Sequence, residues 1–593
     1  MPNRRDILLG GAGVALAGPA LATSADADAA LGAMLSRHMD EYLTLSPEAA
    51  ASLLTDARGQ AARGRLNDRS PAGKAVDVAA ARRWRRELAS VDRKALSPAL
   101  RTDYDSAAFA YEMLDEVGGR YGFQDHALRP GPYLVNQMAG AYYWQPEDFS
   151  REPIADRADA DAWLSRLADF ARVLDGEREG IAKDAAGGVV PPDFVIARTV
   201  RQLSELRATA AAALIDQPSA RAAKAGLADV GASARRILHG QVTPALDRQI
   251  AALEALRPAA SSEAGVWRLP EGEAWYALGL RSNTTIPMPP EEMHRLGLDT
   301  FETLRAELDR KLRAQGLTSG TVAQRIKALD ADPRFLKPDT DAGRAEILAF
   351  SRDHLQRLHG LLPRAFRTLP DRDITVDRIP VAIEAGAPGA YYAGPPADGS
   401  RPGVISINLK TTAEWPTWRL KTLIHHEGDP GHHLQNAVFR RAAGPDQPLY
   451  KRFAQFSSYV EGWALYAEQV AVEIGAYEDD PFGDIGAVQS ALFRAARIVV
   501  DTGIHHKRWS RAEATRWMVE NAGEQQASAQ REIDRYCVYP GQACAFMVGR
   551  LELLRTREAA RRRLGAKFDV RDWHNRVLAA GPMPMETLAR TMG

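Results

Sequence analysis

From about Ala29 to Leu369 apolar residues recur three and four positions apart on a background of Ala, Leu, Arg and Glu. Trp163, Leu167, Phe170, Val173 and Leu174 form one such stripe; Leu203, Leu206, Ala210 and Leu214 form another. This is the period of amphipathic helices with one face in a core. Pro191-Pro192 and Pro287-Met288-Pro289-Pro290 interrupt the pattern. Pro290-Glu291-Glu292 has the proline and the acids of a helix start. No repeat of fixed period is present.

Near Asp373 the period changes. Ile374-Thr375-Val376 and Val381-Ala382-Ile383 are β-like, a Gly/Pro-rich stretch runs from Gly386 to Pro402, and Val404 to Leu409 reads as a strand. In that strand Ile405 and Ile407 share one face, while Val404, Ser406 and Asn408 share the other. As an edge strand it offers free N–H and C=O groups to an extended substrate, with Asn408 on the binding face. The Gly/Pro stretch, carrying Tyr391 and Tyr392, is either a lid that contacts substrate or an inert loop. Helices resume at about Thr417. The pattern predicts a mainly α fold with a small β-sheet, as one large domain over 23–593.

The first 22 residues follow a different rule. Arg4-Arg5 precedes an apolar or small run from Ile7 to Gly18, and Ala20-Leu21-Ala22 places small residues at −3 and −1 of a cleavage site. The stretch is too short for a bilayer, which needs ~20 apolar residues. Met1 to Ala22 therefore reads as an export signal. Arg4-Arg5-Asp6-Ile7-Leu8-Leu9 resembles a twin-arginine signal, with a Sec signal as the alternative. No Cys near the cleavage site calls for a lipid anchor. No other charge-free segment is long enough to span a membrane. The expectation is an exported protein, periplasmic or secreted, with no stable membrane insertion. Its biogenesis partner is the export machinery.

The 593 residues carry 76 Lys plus Arg and 76 Asp plus Glu, a net charge of zero. A nucleic-acid partner, which selects for a basic surplus, is not expected. The two cysteines, Cys537 and Cys544, form neither a disulfide framework nor an unaided thiolate zinc site. They are two small buried hydrophobes or a single bridge across the Tyr539-Pro540-Gly541 turn.

The densest chemistry lies in Ile424-His425-His426-Glu427-Gly428-Asp429-Pro430-Gly431-His432-His433-Leu434-Gln435, where four of the 13 histidines fall within nine residues. Zinc peptidases place His-Glu-x-x-His on one helix: the i and i+4 imidazoles share a face, and the Glu is base for a metal-activated water. This spacing differs. An unbroken helix would set His432 about 240° from His426, and would separate the pairs seven apart by ~10 Å along the axis. Pro430 and Gly431 resolve the conflict, since a bulge there can absorb two residues. The ligands are then His426 and His432, with Glu427 as base. His425 and His433 support the ligands or face substrate; either as a ligand is the alternative. A third ligand is expected on a following helix. In Tyr459-Val460-Glu461-Gly462-Trp463-Ala464-Leu465-Tyr466-Ala467-Glu468, Glu461 lies beside an apolar stripe and needs a partner. Glu468 is the fallback ligand or the group that orients a ligand His.

These motifs resemble an uncharacterised family of mostly bacterial, often exported proteins defined by a domain of unknown function. The family is grouped with the gluzincin-type peptidases, whose zinc is held by two His and a Glu. The resemblance extends to Ala390-Tyr391-Tyr392, Gly403 to Asn408, Asp501-Thr502-Gly503-Ile504-His505, Asp534-Arg535-Tyr536 and Pro540-Gly541-Gln542-Ala543. It is strongest from about Pro388 to Arg550. It implies a helical metallopeptidase-like fold with a deep active-site cleft, a catalytic core at about 374–550 and one zinc ion per chain. For the oxyanion of an attacked carbonyl, Tyr536 or His505 is the expected donor. Arg535 is placed to hold a substrate carboxylate. Asp501, one turn before His505, orients it or caps a helix. The expected activity is zinc-dependent hydrolysis of short or unfolded peptides. A zinc hydrolase of another amide or ester, and a non-catalytic exported binding protein of the same fold, are the competing readings.

Overall fold

The computed structural model describes residues 24–120, 123–124, 128–370, 374–381, 384, 388–395, 401–444 and 447–593. The export signal at 1–22, Ala382-Ile383 and parts of the Gly/Pro stretch (386–387 and 396–400) lie outside the described residues.

The chain is mainly helical. The elements that bear on the site are, in order, β1 (Phe123–Gln124), β2 (Pro130–Gly131), α1 (Ala141–Arg151), α2 (Arg157–Ala186), α3 (Pro290–Ala314), α4 (Asp341–His359), β3 (Ile374–Arg378), β4 (Ala390–Ala393), β5 (Gly403–Ile407), α5 (Thr417–Glu427), α6 (His432–Ala443), α7 (Ser457–Glu473), α8 (Pro481–His505), α9 (Gln526–Tyr536) and α10 (Gln542–Leu564). The proline signals act as the sequence suggests: helices begin at Asp193, just after Pro191-Pro192, and at Pro290. Both apolar stripes are buried in one core cluster that draws on residues from Leu66 to Leu253. A larger cluster joins α3 and α7 to α10 and reaches Met592. Among the described residues no helix is long and apolar enough to cross a membrane. Cys537 and Cys544 are free thiols, each fully buried.

The main sheet has the order β3-β5-β4. β5 pairs in parallel with β3, from Ile374↔Gly403 to Arg378↔Ile407, and antiparallel with β4, from Ala390↔Ile407 to Ala393↔Val404. The strand expected at an edge is therefore central. Its burial explains why: Ile405, Ser406 and Ile407 are buried in succession, so both faces are covered. Ile405, Ile407 and Val376 pack with Leu355, Leu420 and Ile424, fixing the sheet against α4 and α5. Asn408, expected on a substrate-binding face, is engaged by the chain around it. Its amide donates to the Glu384 carbonyl at 2.7 Å, its backbone N–H to Gly389 O at 2.8 Å, and its own carbonyl accepts from Trp415 Nε1 at 2.6 Å. Val381, read as β-like, lies in a turn and is exposed.

One close helix crossing sets the position of Glu461. A Cβ on Gly549 of α10 would lie 1.9 Å from Ser458 O, and one on Gly462 of α7 would lie 2.5 Å from Gly549 Cα. These two glycines let α7 and α10 touch backbone to backbone. Glu461 and Phe546, beside the crossing, are thereby brought to the C-terminal end of α5.

Candidate metal centre

The expected bulge is a complete break. α5 ends at Glu427 and α6 starts at His432. Pro430 cannot supply a helical N–H, and Gly431 packs so tightly that a Cβ there would lie 2.0 Å from His426 O. Trp463 Nε1 donates to Pro430 O at 3.0 Å, which ties the turn to α7. His426 thus sits in the last turn of one helix and His432 opens the next. Their rings are 5.1 Å apart at 86°. The break makes neighbours of two histidines that a continuous helix would separate.

Glu461 completes the group. Its Oε2 is 3.8 Å from His426 Nε2 and 3.5 Å from His432 Nε2. One ligand atom from each of His426, His432 and Glu461 lies within 4.8 Å of the others. His426 Nδ1 donates to Glu468 Oε1 at 2.8 Å, so the tautomer is set and Nε2 is left facing Glu461. Glu468 is therefore the orienting partner, not the third member. Burial works against a charged imidazolium at His426, but Glu461, Glu468 and Glu427 outweigh it and bring its pKa to about 9. Burial likewise works against the Glu461 carboxylate, and the two imidazoles outweigh it and hold Glu461 well below the usual range. Glu427, next to His426, is buried and takes part in no hydrogen bond or ion pair with a described residue.

The flanking histidines point elsewhere. His425 is fully buried; its Nδ1 meets Tyr477 Oη at 3.0 Å and its Nε2 meets His354 Nε2 at 2.8 Å. Burial, with His354 and Lys421, pushes its pKa well down, and it belongs to the core. His433 Nδ1 is 3.0 Å from Tyr392 Oη, so it links α6 to β4. Tyr391, also on β4, reaches across to α1, its hydroxyl donating to Glu147 at 3.5 Å.

Three expectations are corrected. His505 is not a free donor: its Nδ1 accepts from the Val266 N–H at 3.1 Å and its Nε2 donates to Tyr536 O at 3.0 Å. Burial lowers its pKa to about 4, so it stays neutral and staples backbone. Asp501 does not orient it; its carboxylate accepts from Tyr276 Oη at 2.7 Å and from the Gly541 N–H at 3.0 Å. The Tyr536 side chain is 1% exposed and its hydroxyl donates to Glu532 at 2.8 Å, which leaves no proton for an oxyanion. Arg535 is half-buried; its Nη2 donates to Gln542 Oε1 at 2.7 Å, and its Nη1 is 3.6 Å from Glu532.

Two neighbours escape a reading of the sequence. Phe546 stacks on His426, with centroids 6.3 Å apart and planes at 17°. Arg497 lies over the Phe546 ring, its Cζ 4.0 Å from the centroid. Arg497 had a signal: it is a lone charge in the apolar run Ala495-Ala496-Arg497-Ile498-Val499-Val500. Phe546 had none.

Taken together, the fold and site define a class: a mainly helical protein in which a broken helix pair and a third helix converge a His/His/Glu group beside a buried glutamate. The chain belongs to the family described as bacterial protein of unknown function, DUF885, whose model matches residues 47–592. A crystal structure from Colwellia psychrerythraea, described as a putative lipoprotein, is 31% identical with a TM-score of 0.90 and covers 95% of this chain and 98% of its own. A second, from Shewanella oneidensis and described as a putative lipoprotein of unknown function, shares the fold at 18% identity, with a TM-score of 0.65, covering 96% of this chain and 100% of its own. No curated protein matches the chain.

Proposed function

We propose that the protein is an exported zinc-dependent peptidase. The observation that carries the reading is the convergence of His426, His432 and Glu461, ligand atoms within 4.8 Å, beside the Glu427 carboxylate, which has no hydrogen-bond or ion-pair partner among the described residues. Two imidazoles and one carboxylate are the donor set of a catalytic zinc site that keeps one position open. When bound, zinc lowers the pKa of water toward ~7 and polarises a carbonyl. The chain's own groups do the rest. Glu468 holds His426 in the tautomer that presents Nε2. Glu427 takes the proton of the attacking water as the new C–O bond forms, then delivers it to the departing amine as the C–N bond breaks. The outer edge of β4, unpaired among the described residues, can align an extended peptide backbone. The gluzincin-like motif supports this reading. The predicted leader and the lipoprotein description of the Colwellia protein support export to the periplasm or beyond.

The test is metal content with turnover of a peptide pool. Purified mature protein should hold about one zinc per chain. His426→Ala, His432→Ala and Glu461→Ala should lose most of it. Glu427→Gln should keep the zinc and lose roughly 10²–10⁴-fold in rate. Zinc lost from Glu427→Gln but retained by Glu461→Ala would overturn the assignment. Turnover confined to non-peptide esters would move the enzyme to another hydrolase class.

A further inference from the structure

Arg497 projects from α8, a helix almost wholly inside the core, and is 3% exposed. Neither its Nε nor its Nη2 has a hydrogen-bond partner. No described carboxylate lies at ion-pair distance from it. Its guanidinium is held instead among three aromatic rings: Phe546 at 4.0 Å, Tyr536 at 5.5 Å and Phe493 at 5.8 Å. Such faces attract a cation and fix its plane, but they offer no acceptor in that plane. An arginine cannot escape by losing its proton. A buried, unpaired guanidinium is costly, and an anion that paired with it would relieve that cost.

The surroundings repeat the imbalance. Arg494 on the same helix bonds, among the described residues, to the carbonyl and hydroxyl of Ser490. Arg535 on α9 is the third guanidinium within electrostatic reach. Glu532 feels all three, and each lowers its pKa against the effect of burial. The next acid, Glu524, already accepts from Gln489 and lies 3.8 Å from Arg419. Asp501 also feels Arg497, but its carboxylate already accepts from Tyr276 and from the Gly541 N–H. Among the described residues, Glu532 is thus shared by three cations.

The location gives this excess a meaning. Phe546 packs against both Arg497 and the ring of His426. The guanidinium and the metal-binding imidazole are separated by no more than the 4.0 Å and 6.3 Å contacts laid end to end. An extended peptide advances about 3.3–3.6 Å per residue. The bonds from imidazole to metal and from carboxylate to guanidinium take up part of that span, so a carboxylate one or two residues beyond a carbonyl held at the candidate metal centre is of a length to fit it.

We propose that Arg497, flanked by Arg494 and Arg535, is a substrate carboxylate subsite, and that its occupant is the C-terminal carboxylate of a peptide cleaved one or two residues from its end. The inference rests on the peptidase reading and narrows it to release of short C-terminal fragments. The same chemistry could be supplied by an Asp or Glu side chain, and the test separates the two sources.

The experiment has a binding arm and a turnover arm. In the first, calorimetry on Glu427→Gln protein compares N-acetyl-tetra-alanine as free acid, as C-terminal amide, and as an amide with Asp at the last position. The free acid should bind roughly 10–100-fold more tightly than the plain amide, as expected for hydrogen bonds to a charged group. Adding Arg497→Met should abolish that preference, whereas Arg497→Lys should retain part of it. Recovery by the Asp amide would keep the subsite and assign it to a side-chain carboxylate. Equal binding of all three peptides would overturn the proposal, and this comparison needs no Arg497 variant. If Arg497→Met does not fold, Arg535→Gln should weaken the same preference. In the turnover arm, mass spectrometry of wild-type digests should show one- or two-residue losses from free acids, with KM rather than kcat raised for amides. Cleavage of internal bonds at equal rates in acids and amides would leave the peptidase standing and sink the subsite. An acid preference in binding without any turnover would do the reverse.

Discussion

At the scale of single residues, the same chemistry serves opposite ends. His426 and His505 are both buried imidazoles. His426 is surrounded by three carboxylates, whereas His505 has a backbone N–H on one nitrogen and a carbonyl on the other. The first is poised to hold a cation, and the second is a staple. His505→Phe should therefore cost about 2–4 kcal/mol, because it leaves the Val266 N–H and the Tyr536 carbonyl buried and unpaired. Zinc content and turnover per folded molecule should not move. The pH dependence has a defined sign. The His505 pKa falls from 6.5 to about 4 on folding, as does that of His574. The unfolded chain thus takes up protons that the native state refuses. Stability should be full above pH 6.5 and decline as pH falls toward 4. Urea midpoints measured across that range should fall less steeply for His505→Phe than for wild type. An unchanged slope would remove His505 from the acid response. Glu468→Ala, by contrast, should weaken zinc binding about 10–100-fold with little effect on folding. The motif made His426, His432, Glu427, Glu461 and Glu468 legible. His505 and Tyr536 mislead because a sequence shows which groups can donate but not which acceptors already hold them.

At the scale of elements, the site depends on where helices stop and how closely they approach. The sequence placed a discontinuity at Pro430-Gly431, and the structure turns it into two helices whose ends meet at the His/His/Glu group. It could not show the crossing of α7 and α10, because neither glycine follows a pattern and they are far apart in the chain. Gly549→Ala tests this. A Cβ 1.9 Å from the Ser458 carbonyl must push the helices apart, an overpacking that costs about 1–3 kcal/mol or more. The displaced α7 carries Glu461, so zinc affinity should fall together with the urea midpoint. A destabilised variant that binds zinc like wild type would mean that Glu461 is positioned by something other than this crossing. The sheet gives the complementary lesson. Alternation identified β5 as a strand, but its central place comes from β3 and β4, which pair with it across loops that carry little pattern.

At the scale of the whole molecule, the candidate metal centre is assembled mostly from 417–550, yet its surroundings include the N-terminal half. Tyr391 on β4 meets Glu147 on α1 across the chain, and Arg535 acts electrostatically on Tyr143 of the same helix. No local pattern announces a contact between segments more than 200 residues apart. It places α1 opposite β4, so on the peptidase reading a substrate along the outer edge of β4 would lie beside α1. A strand held in that way pairs through its backbone, and a folded protein can supply one only by local opening, which costs up to its global stability. On the peptidase reading, the protein should therefore cleave peptides of ~5–20 residues and unfolded chains, and spare the same sequences inside a stable fold. The measurement is a time course on one stable protein, on that protein unfolded by reduction or mutation, and on synthetic peptides copied from it. Rates for the unfolded chain and the peptides should be similar, with the folded form slower by about the factor by which it resists opening. Destabilising the folded target by a point mutation should raise its rate in proportion. Equal cleavage of the stable fold and the peptides would show that substrate reaches the metal centre by a route that does not pass between β4 and α1.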